Sequence, residues 1–289
     1  MPSEIENQEY SEPAYTKSVD RAKFPFYHPN IDEKLVPETR ELLEKYSHIP
    51  PEQQSQHVHR VRDLAWDIRA YPCTGVGAWL VPQLCRNPVY PDILKRVQAG
   101  ETLMDVGCFV GHDLRRLVYD GAPSDKLYAV DIISHWDVGY EMFRDRGRFE
   151  AHFIEADIVS QSGKLTQLKG QIDIISITQV IHQWDWDGQI NCCKQLTGFT
   201  KGPGSMIVGN QIGNPKAQEV TLKSLVVPMY RHNPESFAKL WDQVGSETGT
   251  KWETQAWIRT FEEMSFGAQD GAWMEPGVSL IEFVAQRIE

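Results

Sequence analysis

The chain has 289 residues, 41% hydrophobic and 24% charged, which is enough to bury one large core or a core with an appended subdomain. Lys plus Arg number 29 against 40 Asp plus Glu, a net charge of −11 with no long basic run, which argues against nucleic acid as a partner. The acidic start lacks the apolar stretch of a signal peptide, no membrane span is expected, and five cysteines without a spacing framework suggest reduced thiols and a cytoplasmic setting.

The segment through Phe24 is polar, with Tyr10 and Tyr15 scattered among charges, and reads as a tail whose aromatics could fold over a ligand. From Ile31 to Gln98 the apolar residues recur at helical spacing, as in Leu35, Leu42, Leu43 and Tyr46, then Val58, Val61, Leu64, Ala65 and Ile68. Pro50-Pro51 separates these two helices, and Tyr71-Pro72-Cys73-Thr74-Gly75 breaks the chain again. Further helices are expected over Ala78–Leu84 and Pro91–Gln98. After Gly100 short β-rich runs alternate with helical stretches. The strands are Thr102–Val106, Leu127–Ile132, His152–Ala156, Ile172–Thr178 and Ser205–Gly209, followed by Trp252–Ile258 and Leu280–Ala285. Helices are expected at Asp113–Tyr119, Tyr140–Arg146, Gly188–Leu196 and Pro234–Val244. Five strand–helix alternations indicate a parallel, doubly wound α/β sheet. The last two strands, joined by the Gly-rich stretch Arg259–Ser279, read as a hairpin-like pair at one edge.

The segment Asp105-Val106-Gly107-Cys108-Phe109-Val110-Gly111 runs from a strand into a helix, with glycines where the backbone must turn tightly against a ligand. Phe109 stands where a dinucleotide fingerprint has its middle glycine, and Asp105 would repel a phosphate but suit a cationic ligand end. Both disfavour a nicotinamide dehydrogenase. Asp131 ends the second strand, placed to accept hydrogen bonds from ribose hydroxyls, and Asp157 follows the third, able to accept from an adenine amine. One strand-end Asp is usually a loop or cap residue; three on consecutive strands beside a glycine loop point to a nucleoside.

This set resembles the class I methyltransferases that bind S-adenosylmethionine. The resemblance implies a Rossmann-like seven-stranded sheet over residues 100–289, with its final strand antiparallel, and an N-terminal tail and helical lid over 1–99. It also implies that the Gly107–Gly111 backbone cradles the methionine portion, that Asp131 takes the ribose and that Asp157 with Ile158 borders the adenine. The expected cofactor contacts are Asp105, Gly107, Cys108, Gly111, Asp131, Ile132, Asp157, Ile158 and Gln179.

After the fourth strand comes Thr178-Gln179-Val180-Ile181-His182-Gln183-Trp184-Asp185-Trp186-Asp187, at the end of the sheet where ligands bind. His182-x-Trp184 is similar to the His-Asp-Trp segment of plant phenolic O-methyltransferases, in which the His is the general base. A phenol of pKa ~10 gains from such a base, whereas a carboxylic acid of pKa ~4 is already ionised and needs only to be oriented. His182 is thus the expected catalytic residue, with Tyr71, Gln183 and Trp184 on the substrate side.

A closer similarity, from about Phe24 onward, is to the methyltransferases of fungal meroterpenoid pathways of the austinol, andrastin and terretonin type. It is carried by Tyr71-Pro72-Cys73-Thr74-Gly75, by Gly107 to Val118, by Phe143-Arg144-Asp145-Arg146, by His182-Gln183-Trp184 and by Pro203 to Gly209. That resemblance implies methyl-ester formation on a lipophilic aromatic or meroterpenoid acid. The alternatives are a phenolic or enolic O-methyltransferase with His182 as base, and a cyclase or isomerase that keeps the cofactor without transferring methyl. In the lid, Tyr71, Trp79 and Tyr90 could line an apolar pocket, Tyr15, Phe24, Phe26 and Tyr27 could close over the cofactor, and Arg69 could meet a carboxylate. An exposed apolar lid would also suit a homodimer. No metal is expected, because His57 and His59 point to different helix faces. Cys192-Cys193 reads as packing, and Met229-Tyr230-Arg231-His232, approached through Leu225, Val226 and Val227, as a substrate loop or core.

Overall fold

Nine strands in chain order organise the computed structural model, which describes residues 14–17, 20–160, 163–221 and 228–289. They are β1 (Leu103–Val106), β2 (Leu127–Asp131), β3 (His152–Glu155), β4 (Ile174–Thr178), β5 (Met206–Gly213), β6 (Gln218–Val220), β7 (Met229–Arg231), β8 (Trp252–Arg259) and β9 (Ser279–Arg287). Seven of them form one sheet in the order β3-β2-β1-β4-β5-β9-β8, and β6 and β7 form a separate pair. The five strands from β1 to β5 are parallel, and β9 runs antiparallel between β5 and β8. This is the Rossmann-like sheet with an inverted strand expected from the sequence. Strand β1 pairs with both β2 and β4, so the strand order reverses there and a crevice opens at the C-terminal ends of these strands. The central strands are buried on both faces, which is why β4 reads Ile174-Ile175-Ser176-Ile177 rather than alternating.

Among the described residues eight α-helices accompany the strands: α1 (Pro37–Glu41), α2 (Pro51–Ile68), α3 (Pro72–Gly75), α4 (Tyr90–Gln98), α5 (His112–Tyr119), α6 (Trp136–Phe143), α7 (Trp186–Phe199) and α8 (Pro234–Thr248). On one face Ile190, Leu196, Phe237 and Trp241 of α7 and α8 pack on Ile175, Ile207 and Phe283 of the sheet. On the other, Ile93 and Val97 of α4 and Leu114 and Leu117 of α5 pack on Leu103, Leu127 and Val208. A third cluster joins Val58, Val61 and Ala65 of α2 to Phe109 and Val110 of the glycine loop and to Met142 and Phe143 of α6. The N-terminal helices therefore share a core with the loop they cover.

Some local expectations are corrected. Ala78–Leu84 is not one helix: two 3-10 turns, Ala78–Leu80 and Leu84–Arg86, flank an extended Val81, because Pro82 disfavours helical backbone in the residue before it. The helix expected over Tyr140–Arg146 begins earlier, at Trp136, and ends where Arg144 turns left-handed at φ 50°. Strand β5 runs four residues past Gly209, because Asn210 and Gln211, polar in sequence, are buried with partners. Phe24, Phe26 and Tyr27 pack edge-on or tilted against Trp66 of α2. Tyr90 packs at the far end of the sheet, its hydroxyl donating to Asp120 at 2.7 Å. Cys192 and Cys193 are core residues, and all five cysteines are free. Among the described residues, Leu64 and Ile288 are the large hydrophobic side chains left exposed. Among those residues, too, no helix is long and apolar enough to cross a membrane. Tyr10, the Tyr15 side chain, Leu225, Val226 and Val227 lie outside the described residues.

Candidate cofactor and acceptor site

The glycine loop leaves β1 at Gly107, whose φ of +73° favours glycine. A Cβ there would stand 2.3 Å from Val180 Cγ2, so the loop after β4 and the glycine loop touch only because Gly107 has no side chain. Gly111, at φ +67°, opens α5 under similar pressure, a Cβ meeting Arg115 Nη1 at 2.4 Å and the Trp136 ring at 2.8 Å. Between them Phe109 is also left-handed, at φ +50°, a costly conformation for an aromatic residue. Its N–H donates to Asp131 Oδ2 at 2.8 Å, and the Ile133 N–H donates to Oδ1 at 3.3 Å. The Asp131 carboxylate therefore holds the loop in this conformation. The Phe109 ring packs 4.6 Å from that of His135 and 5.7 Å from that of Trp79, and Tyr71 lies 6.2 Å from His135. Trp79 thus reaches the glycine loop and Tyr71 the His135 ring packed on it, as an aromatic cover on the lid side.

Asp105 is buried, in register with Ser176 of β4. Burial, then the nearby charges of Asp113 and Asp131, push its carboxyl well above the ordinary range. A cation beside these three carboxylates would be welcome, as the sequence suggests. Cys108 is buried in the core, with its thiol pushed up by burial and by Asp131 and Asp105, so it contributes backbone rather than a thiolate. Ile132 is half-buried after β2. Asp157 accepts the Val159 N–H at 3.0 Å in the turn after β3, and Ile158 joins the core beside it.

Gln179 sits left-handed at φ +58° just past β4. Its backbone N–H reaches the Asn210 carbonyl at 2.7 Å and its Nε2 the Asn210 Oδ1 at 2.6 Å. Asn210 Nδ2 donates in turn to Gln83 Oε1 at 3.2 Å, and the Gln83 and Leu84 N–H groups donate to Asp113 at 3.0 and 3.2 Å. A polar chain thus runs from the acceptor loop through β5 and the lid back to α5. Asn210 and Gln83 escaped the sequence reading, since an isolated Asn or Gln carries no signal until its partner is known.

His182 lies on a 3-10 turn, Ile181–Gln183, at the end of β4. Burial, and secondarily the charge of Arg231, push its imidazole down to about 3, so it is neutral at working pH. The Arg231 guanidinium donates to the His182 carbonyl at 3.1 Å and to Glu275 Oε1 at 2.8 Å. Trp184 precedes α7, its carbonyl accepting from the Tyr230 N–H at 2.9 Å and from Gln189 Nε2 at 3.0 Å. Gln183 is half-buried beside it, its N–H reaching the Val180 carbonyl at 3.2 Å. Strand β7 therefore backs the acceptor loop, which gives Met229-Tyr230-Arg231-His232 a place at the site. Arg69 turns back on its own helix, Nη1 donating to the Ile68 carbonyl at 2.8 Å. Among the described residues one group of metal-ligand types gathers, His28, Glu33 and Asp270, away from this crevice; the Lys34 ammonium already pairs with Asp270 and Glu33 there.

Residues 26–80 match the family model described as the meroterpenoid methyltransferase N-terminal domain. The chain is 35% identical to the O-methyltransferase phiE of a fungal species (strain ATCC 74256), over 95% of this chain and 94% of that one. It is 37% identical to the asnovolin E/chermesin D methyltransferase nvfJ of Aspergillus novofumigatus, over 75% of this chain and 80% of the relative. In fold it resembles the 1,6-didemethyltoxoflavin N1-methyltransferase of Burkholderia thailandensis, solved with bound S-adenosylhomocysteine. The TM-score is 0.50 at 11% identity, covering 83% of this chain and 92% of that one. With a left-handed glycine loop, strand-end carboxylates and the switch point between β1 and β4 already in place, these likenesses have one reading: the chain belongs to the fungal meroterpenoid methyltransferases, enzymes that use S-adenosylmethionine.

Proposed function

We propose that the chain methylates an oxygen of a lipophilic aromatic or meroterpenoid acid, and that this oxygen belongs to a carboxylate. The observation that carries the reading is the state of His182. An imidazole pushed down to about 3 is too weak a base to deprotonate a phenol of pKa ~10. A carboxylate needs no base, and a neutral His182 can orient it by a hydrogen bond. A relative named as an O-methyltransferase supports oxygen as the acceptor atom. In this reading residues 1–99 form the lid and residues 100–289 hold the cofactor. Asp105, Gly107, Cys108 and Gly111 would hold the methionine portion, Asp131 and Ile132 the ribose, and Asp157 and Ile158 the adenine. Gln179 would stand beside the transferring methyl, with Tyr71, Gln183 and Trp184 lining the acceptor side. The bound sulfonium supplies an electrophilic methyl group. The protein's part is to align acceptor and donor and to keep water out while opposite charges cancel. The reading includes a cytoplasmic enzyme acting on a small molecule rather than nucleic acid.

Mass spectrometry of purified protein with S-adenosylmethionine and a farnesylated aromatic polyketide acid tests this, with the pre-formed methyl ester as control. The expected result is a gain of one methyl on the free acid alone, with equal S-adenosylhomocysteine. Methylation of the ester as well would move the acceptor to a hydroxyl or carbon. A changed carbon skeleton without a mass gain would indicate cyclase or isomerase chemistry.

A further inference from the structure

Arg231 is 1% exposed, at the end of β7. A guanidinium has five N–H donors. Among the described residues, Nε meets Glu275 Oε1, Nη1 meets the His182 carbonyl, and Nη2 meets only the Met229 sulfur at 4.0 Å, a weak acceptor. Two more buried atoms tied to this guanidinium have no partner among those residues: Glu275 Oε2, on the carboxylate that holds Nε, and His182 Nδ1, on the residue whose carbonyl holds Nη1. Buried polar atoms are nearly always satisfied in native proteins. A guanidinium edge without an oxygen partner and an imidazole nitrogen, both linked through Arg231, describe a subsite that lacks an anionic ligand, and Glu275 Oε2, an acceptor like that ligand, stands beside it as a counter-charge to the guanidinium. The subsite adjoins the crevice, since the same loop reaches Gly107 through Val180.

We propose that Arg231, braced by Glu275, receives the acceptor's carboxylate, an assignment that rests on the acid reading given above. The Nη2 edge holds one carboxylate oxygen and leaves the other to react. That second oxygen forms the new bond to the methyl carbon as the methyl–sulfur bond breaks, the electron pair stays on sulfur, and no proton moves. Glu275 has a specific part in this step. A lone buried guanidinium would stabilise the carboxylate more before reaction than in the transition state, where its negative charge is being lost. A second carboxylate, held on the neighbouring Nε of Arg231, offsets that excess, so the acid is oriented without being made inert.

The test is titration calorimetry on the full chain with S-adenosylhomocysteine present, using a farnesylated aromatic polyketide acid and its methyl ester as probes, together with steady-state kinetics on the acid. The wild type is expected to bind the acid about tenfold more tightly than the ester, with Arg231→Met abolishing the difference and Arg231→Lys restoring part of it. Glu275→Gln is expected to lower KM for the acid and kcat together. Unchanged S-adenosylhomocysteine affinity reports that each variant is folded. An Arg231→Met protein that keeps this affinity and still prefers the acid overturns the assignment and leaves the acid reading standing. If Arg231→Met does not fold, Glu275→Gln decides, and an unchanged KM and kcat overturn the assignment. A wild type that methylates the ester as readily as the acid, or binds neither, overturns both.

Discussion

Val180 of the loop after β4 packs against Gly107 of the glycine loop so tightly that there is no room for a Cβ. Gly107→Ala adds a left-handed strain of about 1–2 kcal/mol and a clash at Val180. Calorimetry should show cofactor affinity falling by an order of magnitude or more, with Val180→Ala restoring part of it by removing the clash but not the strain. His182→Ala should lower turnover without abolishing it, and kcat/KM on the acid should stay flat from about pH 5 to 8. A rate limb in that window, lost in the variant, would mean that His182 titrates and works as a base. These residues stood out in the sequence because three aspartates on consecutive strand ends beside a glycine loop are a rarer pattern than any one of them alone. The hold of Asp131 on the glycine loop did not, because it depends on Phe109 adopting φ +50° two residues past Gly107.

At the scale of elements, α5 and α6 are locked by Arg115 and Asp145, both fully buried and paired at 2.9 Å. Arg115 also donates to the Val110 carbonyl at 2.9 Å, and Tyr46, in the turn after α1, donates to Asp145 at 2.9 Å. The pair thus joins the lid, the glycine loop and the helix after β2. Removing one partner strands a buried charge, so Asp145→Ala should cost about 3–5 kcal/mol in denaturant unfolding. Arg115→Lys should instead raise KM for the cofactor more than it changes kcat, since the loop loses its brace at Val110. Strand and helix order was readable from apolar periodicity throughout the sheet, because long buried strands leave continuous apolar runs. The periodicity misled where proline or buried polar residues interrupted it, at Val81-Pro82 and at Asn210-Gln211, since neither pattern shows whether a partner waits across the chain.

Over the whole molecule, Lys34 in the N-terminal segment pairs with Asp270 in the connection between β8 and β9, both almost fully buried. Asp270→Ala alone should destabilise strongly, and pairing it with Lys34→Met should recover much of the loss, because an apolar pair leaves no stranded charge. Stability should also fall on acidification. His182 and His232 are both pushed down to about 3, mainly by burial. Below about pH 6.5 the unfolded chain binds protons that the folded one refuses, so stability declines as pH drops toward 3. Thermal melts from pH 7 to 5 should show a slope that His232→Gln reduces. The Asp105 carboxyl, raised by burial and then by the charges of Asp113 and Asp131, has a consequence for turnover. S-adenosylmethionine carries a sulfonium that its spent product lacks, and a cation bound beside Asp105 draws that carboxyl back toward its ionised form, so the charged donor is favoured over the neutral thioether. Product should leave more easily than donor, and Asp105→Asn should show itself first as stronger inhibition by accumulating S-adenosylhomocysteine.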